Sequence, residues 1–196
     1  MTPTVSTSEK ILDIAQSLVI AGGYNGFSYA DIAVAIGIRK ASIHHHFPAK
    51  ADLVAALVER YRLQARTGLS HLREQVPHPA DQLRAYLTYW KTCIGDASQP
   101  FCVCAMLAGE KDMLPKPVAA GVRAHFEHLA GWLTEILRAG SEQGLFRLTS
   151  CPQDEAQALM ATVHGAMLSA RALDNTQIFA LVTDSQLERL LATAGR

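Results

Sequence analysis

The sequence predicts an all-α fold: an N-terminal three-helix domain built on a helix-turn-helix, followed by a C-terminal helical domain. Three observations predict it. After Pro3 the prolines fall at Pro48, Pro77, Pro79, Pro100, Pro115, Pro117 and Pro152, and the stretches between them carry apolar residues at helical spacing. No segment alternates cleanly between apolar and polar residues, and no Asn-Gly pair divides two β-branched runs, so strand signals are missing. With 196 residues, 49% of them hydrophobic, the chain is long enough to bury a core without disulfide or metal staples and too apolar for a disordered segment.

The elements follow in order. Ile11, Ile14, Ala15, Leu18 and Val19 form one stripe of a first helix. Gly22-Gly23 ends it, because glycine readily supplies a left-handed C-cap. Ser28-Tyr29-Ala30-Asp31 reads as a variant capping box, with hydroxyl and carboxylate satisfying the first amides of a second helix. Ile32, Ala33 and Ile36 face inward along it, and Gly37 breaks it. A third, short helix runs from Arg39 to Phe47, where Pro48 stops it. A long helix is expected from Lys50 to Gln75, with others near 81–95, 101–113, 118–143, 153–173 and 177–194. No linker separates the third helix from the fourth, and the domains are set at 1–48 and 49–196.

The 18 basic side chains balance the 18 acidic ones, which argues against indiscriminate nucleic-acid binding. Yet Arg39 to Arg73 holds seven basic residues against two acidic ones. One basic segment inside a neutral chain suits a localised phosphate contact, and equally a solvated helix face. No run approaches eighteen uninterrupted apolar residues, so no membrane span is expected. Met1 to Lys10 lacks the basic and apolar regions of a secretory signal. Cys93, Cys102, Cys104 and Cys151 show no disulfide-scaffold rhythm, which points to the reducing cytoplasm.

The stretch from Ser28 to Phe47 holds helix, glycine turn and short helix. Two apolar faces joined by so short a turn pack only if the helices cross steeply, the helix-turn-helix arrangement. With successive side chains about 100° apart and the buried side between Ile43 and Phe47, Ala41 and His45 point most directly outward. Ser42 and His44 flank them. Small side chains let a helix lie deep in a major groove, and hydroxyl or imidazole groups can hydrogen-bond phosphates or base edges. Arg39 and Lys40 at its start, and Lys50 opening the next helix, can neutralise phosphates.

Ile11-Leu12-Asp13-Ile14-Ala15, Gly23-Tyr24, Ser28-Tyr29-Ala30-Asp31-Ile32-Ala33 and Gly37-Ile38-Arg39-Lys40-Ala41-Ser42-Ile43-His44-His45-His46-Phe47-Pro48-Ala49-Lys50 closely resemble the TetR/AcrR family of bacterial one-component regulators. Beyond them the resemblance rests on the helical plan and on Glu110 with Leu114-Pro115, after a helix opened by cysteine. It implies a cytoplasmic, ligand-responsive transcriptional regulator, a repressor with no cofactor and no enzymatic activity. Such a protein binds double-stranded DNA at a palindromic operator as a homodimer, and its C-terminal domain dimerises and senses a small-molecule effector. The family's DNA-contacting positions fall on Tyr29, Lys40, Ala41, Ser42, His44, His45 and Lys50. Two residues depart from its pattern. His44 stands where tyrosine is usual, which makes that contact pH-sensitive. Ala49 replaces the usual Ser or Thr before Lys50, the loss of a helix cap worth about 1 kcal/mol.

Other residues carry competing readings. His44, His45 and His46 diverge along a helix and cannot close on one metal ion, while His125 and His128 share a face that suits polar surface. Cys102 and Cys104 fit core packing better than a metal. Cys102 also stands where one branch of the family, including the N-ethylmaleimide-responsive repressor, opens this helix with a cysteine; a helix N-terminus would there favour a reactive thiolate. Tyr86, Trp90 and Phe126, with Tyr89, Phe101, Met106 and Trp132, would wall a pocket for an apolar effector, or else form core. Ala158, Ala161, Gly165 and Ser169 make a narrow helix face, which the resemblance assigns to a four-helix dimer interface; internal packing is the alternative. The rival function is an all-α enzyme or carrier using Glu110, His125, His128 or Cys102, although no nucleophile, base and orienting group share one motif.

Overall fold

A computed structural model describes residues 6–97 and 101–191. They form α1 (Thr7–Gly22), α2 (Tyr29–Ile36), α3 (Lys40–His46), α4 (Lys50–Gln75), α5 (Pro79–Gly95), α6 (Val103–Ala108), α7 (Lys116–Glu142), α8 (Pro152–Ala172) and α9 (Gln177–Leu190), with a 3₁₀ turn at Lys111–Met113. The all-α expectation holds: among the described residues the sole β feature is an isolated bridge between Phe146 and Leu191. None of the helices is long and apolar enough to cross a membrane. The helix expected over 101–113 is broken: α6 stops at Ala108 with Gly109 as its C-cap, and Glu110 beyond it accepts the Tyr24 N–H. The last helix ends at Leu190, and residues 192–194 of its expected span lie outside the described residues.

The chain divides into two compact units, Met1–Gln64 with Cys102–His125, and Ala65–Phe101 with Phe126–Arg196. Packing therefore does not part at Pro48, since α4 and α7 each contribute to both units.

In the first unit α1 packs against α2, α3 and α6. Its N-cap Ser6 hydroxyl accepts the Glu9 N–H, and Ile11, Ala15 and Val19 are completely buried. Both halves of the Ser28–Asp31 capping box form, the Ser28 N–H reaching the Asp31 carboxylate at 2.7 Å. Gly37 takes the left-handed conformation (φ 69°, ψ 35°) that turns the chain from α2 toward α3. Ile32, Ile43, Leu53 and Leu57 complete the core at zero exposure, each worth about 1.5–3 kcal/mol of burial. Arg60 of α4 reaches back to α1, its Nη1 standing 2.8 Å from both Glu9 and Asp13.

In the second unit Leu83, Leu133, Leu137, Leu159 and Phe179 are completely buried. Glu155 ties down the loop before α8 by accepting the Thr149 N–H, the Thr149 hydroxyl and the Ser150 N–H. Lys91 of α5 pairs with Asp184 of α9. The Gln82 amide donates to the Val76 carbonyl at 2.7 Å and closes the corner from α4 to α5.

Candidate nucleic-acid interface

Around its single buried residue, Ile43, α3 exposes Lys40, Ala41, Ser42, His44, His45 and His46, with Arg39 exposed just before it. A helix anchored on one side by one residue leaves the rest of its surface free, and that surface is small, basic or able to hydrogen-bond. His44 is the most constrained of the set. Its Nδ1 lies 3.2 Å from the Pro48 carbonyl oxygen, which only accepts, so Nδ1 carries the proton and Nε2 is the ring's free nitrogen. The imidazole meets the Tyr29 ring edge-on, with centroids 4.7 Å apart.

Two residues expected at the DNA make bonds within the protein. Tyr29 is buried, and its hydroxyl donates to the Phe47 carbonyl. Burial, with help from Asp52 and Tyr24, pushes its phenol up to about 12. Lys50 is half-buried; its ammonium donates to the Phe27 carbonyl and lies over the Phe27 and Tyr24 rings. Burial lowers its pKa against the opposing pull of Glu110 and Asp31. Tyr29 thereby ties the start of α2 to the end of α3, and Lys50 ties the start of α4 to the turn before α2. The hydroxyl cap is missing at Ala49, but the reciprocal half of a capping box is present, the Ala49 N–H donating to the Asp52 carboxylate at 2.9 Å.

Cys102 does open α6, its sulfur accepting the Ala105 N–H. The expected low-pKa thiolate is corrected by its surroundings. The residue has no exposure, and burial pushes the thiol up despite hydrogen bonds from Tyr61 and the Ala105 amide. His125 Nε2 stands 3.9 Å from the sulfur. All four cysteines are free thiols, of which only Cys151 is exposed. His125 is buried and His128 exposed, so the two do not share one environment. Among the described residues no three His, Cys, Asp or Glu side chains converge as a metal site.

In the second unit Tyr86 and Trp90 are core residues, and Tyr86 packs against Trp132 with centroids 5.4 Å apart. Phe126 is half-buried beside His164. A cleft of about 240 Å³ is lined by one of the expected wall residues, Trp132, with Arg73, Pro77, Gln82, Glu135 and Ile136 among others. Tyr86, Trp90 and Phe126 do not line it, because their rings turn into helix packing. Ala158, Ala161, Gly165 and Ser169 are all exposed along α8, next to Leu168 at 60% exposure. A Cβ added at Gly165 would meet nothing within 4 Å, so this face is not packed internally.

Sequence reasoning did not find the Arg60 clamp on α1 or the Glu110 contact with Tyr24. Each joins residues far apart in the chain, and neither has a local pattern.

Residues 11–57 match the family model for bacterial regulatory proteins of the tetR family, and residues 79–185 match the tetracyclin repressor-like C-terminal domain. The structure of a TetR-family transcriptional regulator from Agrobacterium tumefaciens matches with a TM-score of 0.92 at 52% identity, covering 94% of this chain and 97% of that one. A TetR transcriptional regulator from Legionella pneumophila matches with a TM-score of 0.87 at 25% identity, covering 96% and 100%. The reduced form of E. coli NemR shares the fold, with a TM-score of 0.82 at 20% identity over 97% and 100%. The comparison with curated proteins finds no match.

Proposed function

Since the chain belongs to the TetR family of bacterial transcriptional regulators, we propose that it represses by binding a palindromic operator as a homodimer and lets go when a small-molecule effector binds. Residues 1–48 read the DNA, and residues 49–196 dimerise and sense the effector. The protein works in the cytoplasm and catalyses nothing. The observation that carries this reading is the α3 surface, where small, basic and hydrogen-bonding side chains surround the lone anchor Ile43. Ala41, Ser42 and His45 enter the major groove, Arg39 and Lys40 meet phosphates, and His44 offers Nε2 as an acceptor to a base-edge donor or, as the imidazolium, as a donor to a phosphate. The exposed strip Ala158, Ala161, Gly165 and Ser169 allows the close helix approach of a bundle between two copies.

The effector binds without covalent chemistry at Cys102, whose burial withholds the thiolate that such chemistry needs. A gel shift with duplex from upstream of the gene, at stated salt, tests the reading. A discrete shifted band that weakens as salt rises is expected; no shift at low salt would overturn it.

A further inference from the structure

Glu110 lies outside the α3 surface, yet its carboxylate reaches the turn that leads into α2. Gly23 sits at φ 73°, ψ −166°, a region that essentially only glycine occupies. Its own N–H still bonds the Val19 carbonyl and closes α1. The next amide, on Tyr24, donates instead to Glu110 Oε1 at 2.9 Å. A Cβ at Gly23 would lie 1.7 Å from that oxygen, so glycine both permits the conformation and makes room for the carboxylate. At the far side of the same turn the Phe27 carbonyl accepts from Lys50. Ser28 then caps α2, and Tyr29 bonds to Phe47 at the end of α3. One run of bonded residues thus joins Glu110, beyond the end of α6, to both ends of the helix-turn-helix.

We propose that Glu110 is a positioning residue for DNA reading: its carboxylate, through the Tyr24 amide, holds the α1–α2 turn in the form that presents α3. This rests on the regulator reading above. Gln at position 110 keeps an oxygen that accepts the Tyr24 N–H, whereas Ala keeps none.

The experiment takes wild type, E110Q and E110A. It measures affinity for duplexes that the wild type selects from a random pool, and backbone hydrogen exchange of the same three proteins. E110A loses about tenfold or more in affinity, the scale of one charge-assisted hydrogen bond. Its Tyr24 amide exchanges about tenfold faster, and the α3 amides lose protection with it. E110Q stays within about threefold of wild type on every readout. Wild-type affinity in E110A, faster exchange at Tyr24 with α3 unchanged, or an E110Q as impaired as E110A would each overturn the proposal. If the wild type selects no duplex, the regulator reading fails, and α3 exchange in E110A against E110Q still decides the positioning role.

Discussion

The Tyr29 hydroxyl donates to the Phe47 carbonyl at 2.8 Å, which fastens the first residue of α2 to the residue that ends α3. α3 is therefore held by a buried bond as well as by the apolar contacts of Ile43. Tyr29→Phe leaves that carbonyl without its donor and costs about 1–2 kcal/mol in urea unfolding at pH 7. The phenol ionises at about 12 in the folded protein and at about 10 in the unfolded chain. Its contribution to stability is therefore complete below pH 10 and is lost as pH rises from 10 toward 12. Urea midpoints taken across that window fall more steeply for wild type than for Tyr29→Phe. Unchanged stability with reduced DNA affinity would place this hydroxyl on the DNA instead.

Lys40 and Lys50 separate contact from scaffold. Lys40 is exposed, so Lys40→Ala weakens DNA binding and lowers the salt slope by about one unit, as a lost phosphate contact does. Its effect on stability stays within about 0.5 kcal/mol. Lys50→Met removes the bond to Phe27 and the two ring contacts, and costs about 1–2 kcal/mol of stability with the slope unchanged. Paired unfolding and salt-titration curves distinguish the two, and the reverse assignment of effects would contradict the geometry.

Gly165→Glu leaves the fold of the single chain intact, because nothing lies within 4 Å of the added Cβ. It places a charge on the exposed α8 strip and shifts the protein to monomer in light scattering. Operator binding fails with it, since two half-sites need two reading heads. An intact dimer would move the interface off this strip.

With limiting iodoacetamide, Cys151 is alkylated before Cys93, Cys102 and Cys104, because it alone is exposed. Buried thiols react only after local opening and as a minor thiolate fraction. Peptide mass spectrometry at short times gives the order. Early labelling of Cys102 in the folded protein would contradict the burial account and reopen covalent sensing.

Features governed by near neighbours were legible in the sequence. The Ser28–Asp31 box, the Gly37 turn and the bounds of α4 at Lys50 and Gln75 are decided within a few residues, and capping and periodicity report on that range. The exposure of Ala41, Ser42, His44 and His45 follows from the same arithmetic once Ile43 is placed inward. Burial set by distant residues was not legible. Tyr29 and Lys50 find their carbonyl partners 18 and 23 residues away, and Glu110 finds Tyr24 across 86. No spacing encodes those meetings. Cys102 fell to the same limit: its place at the helix start was readable, but the desolvation that overrides the helix N-terminus was not.

The most direct test is a hydroxyl-radical footprint of the upstream duplex with wild type and Ala41→Glu. Ala41 is exposed on α3, so the substitution spares the fold and sets a negative charge against the groove. Wild type protects two half-sites separated by about 10–10.5 base pairs or a multiple of that, and Ala41→Glu protects neither at the same concentration and salt. An identical footprint from both proteins would contradict α3 as the reading helix.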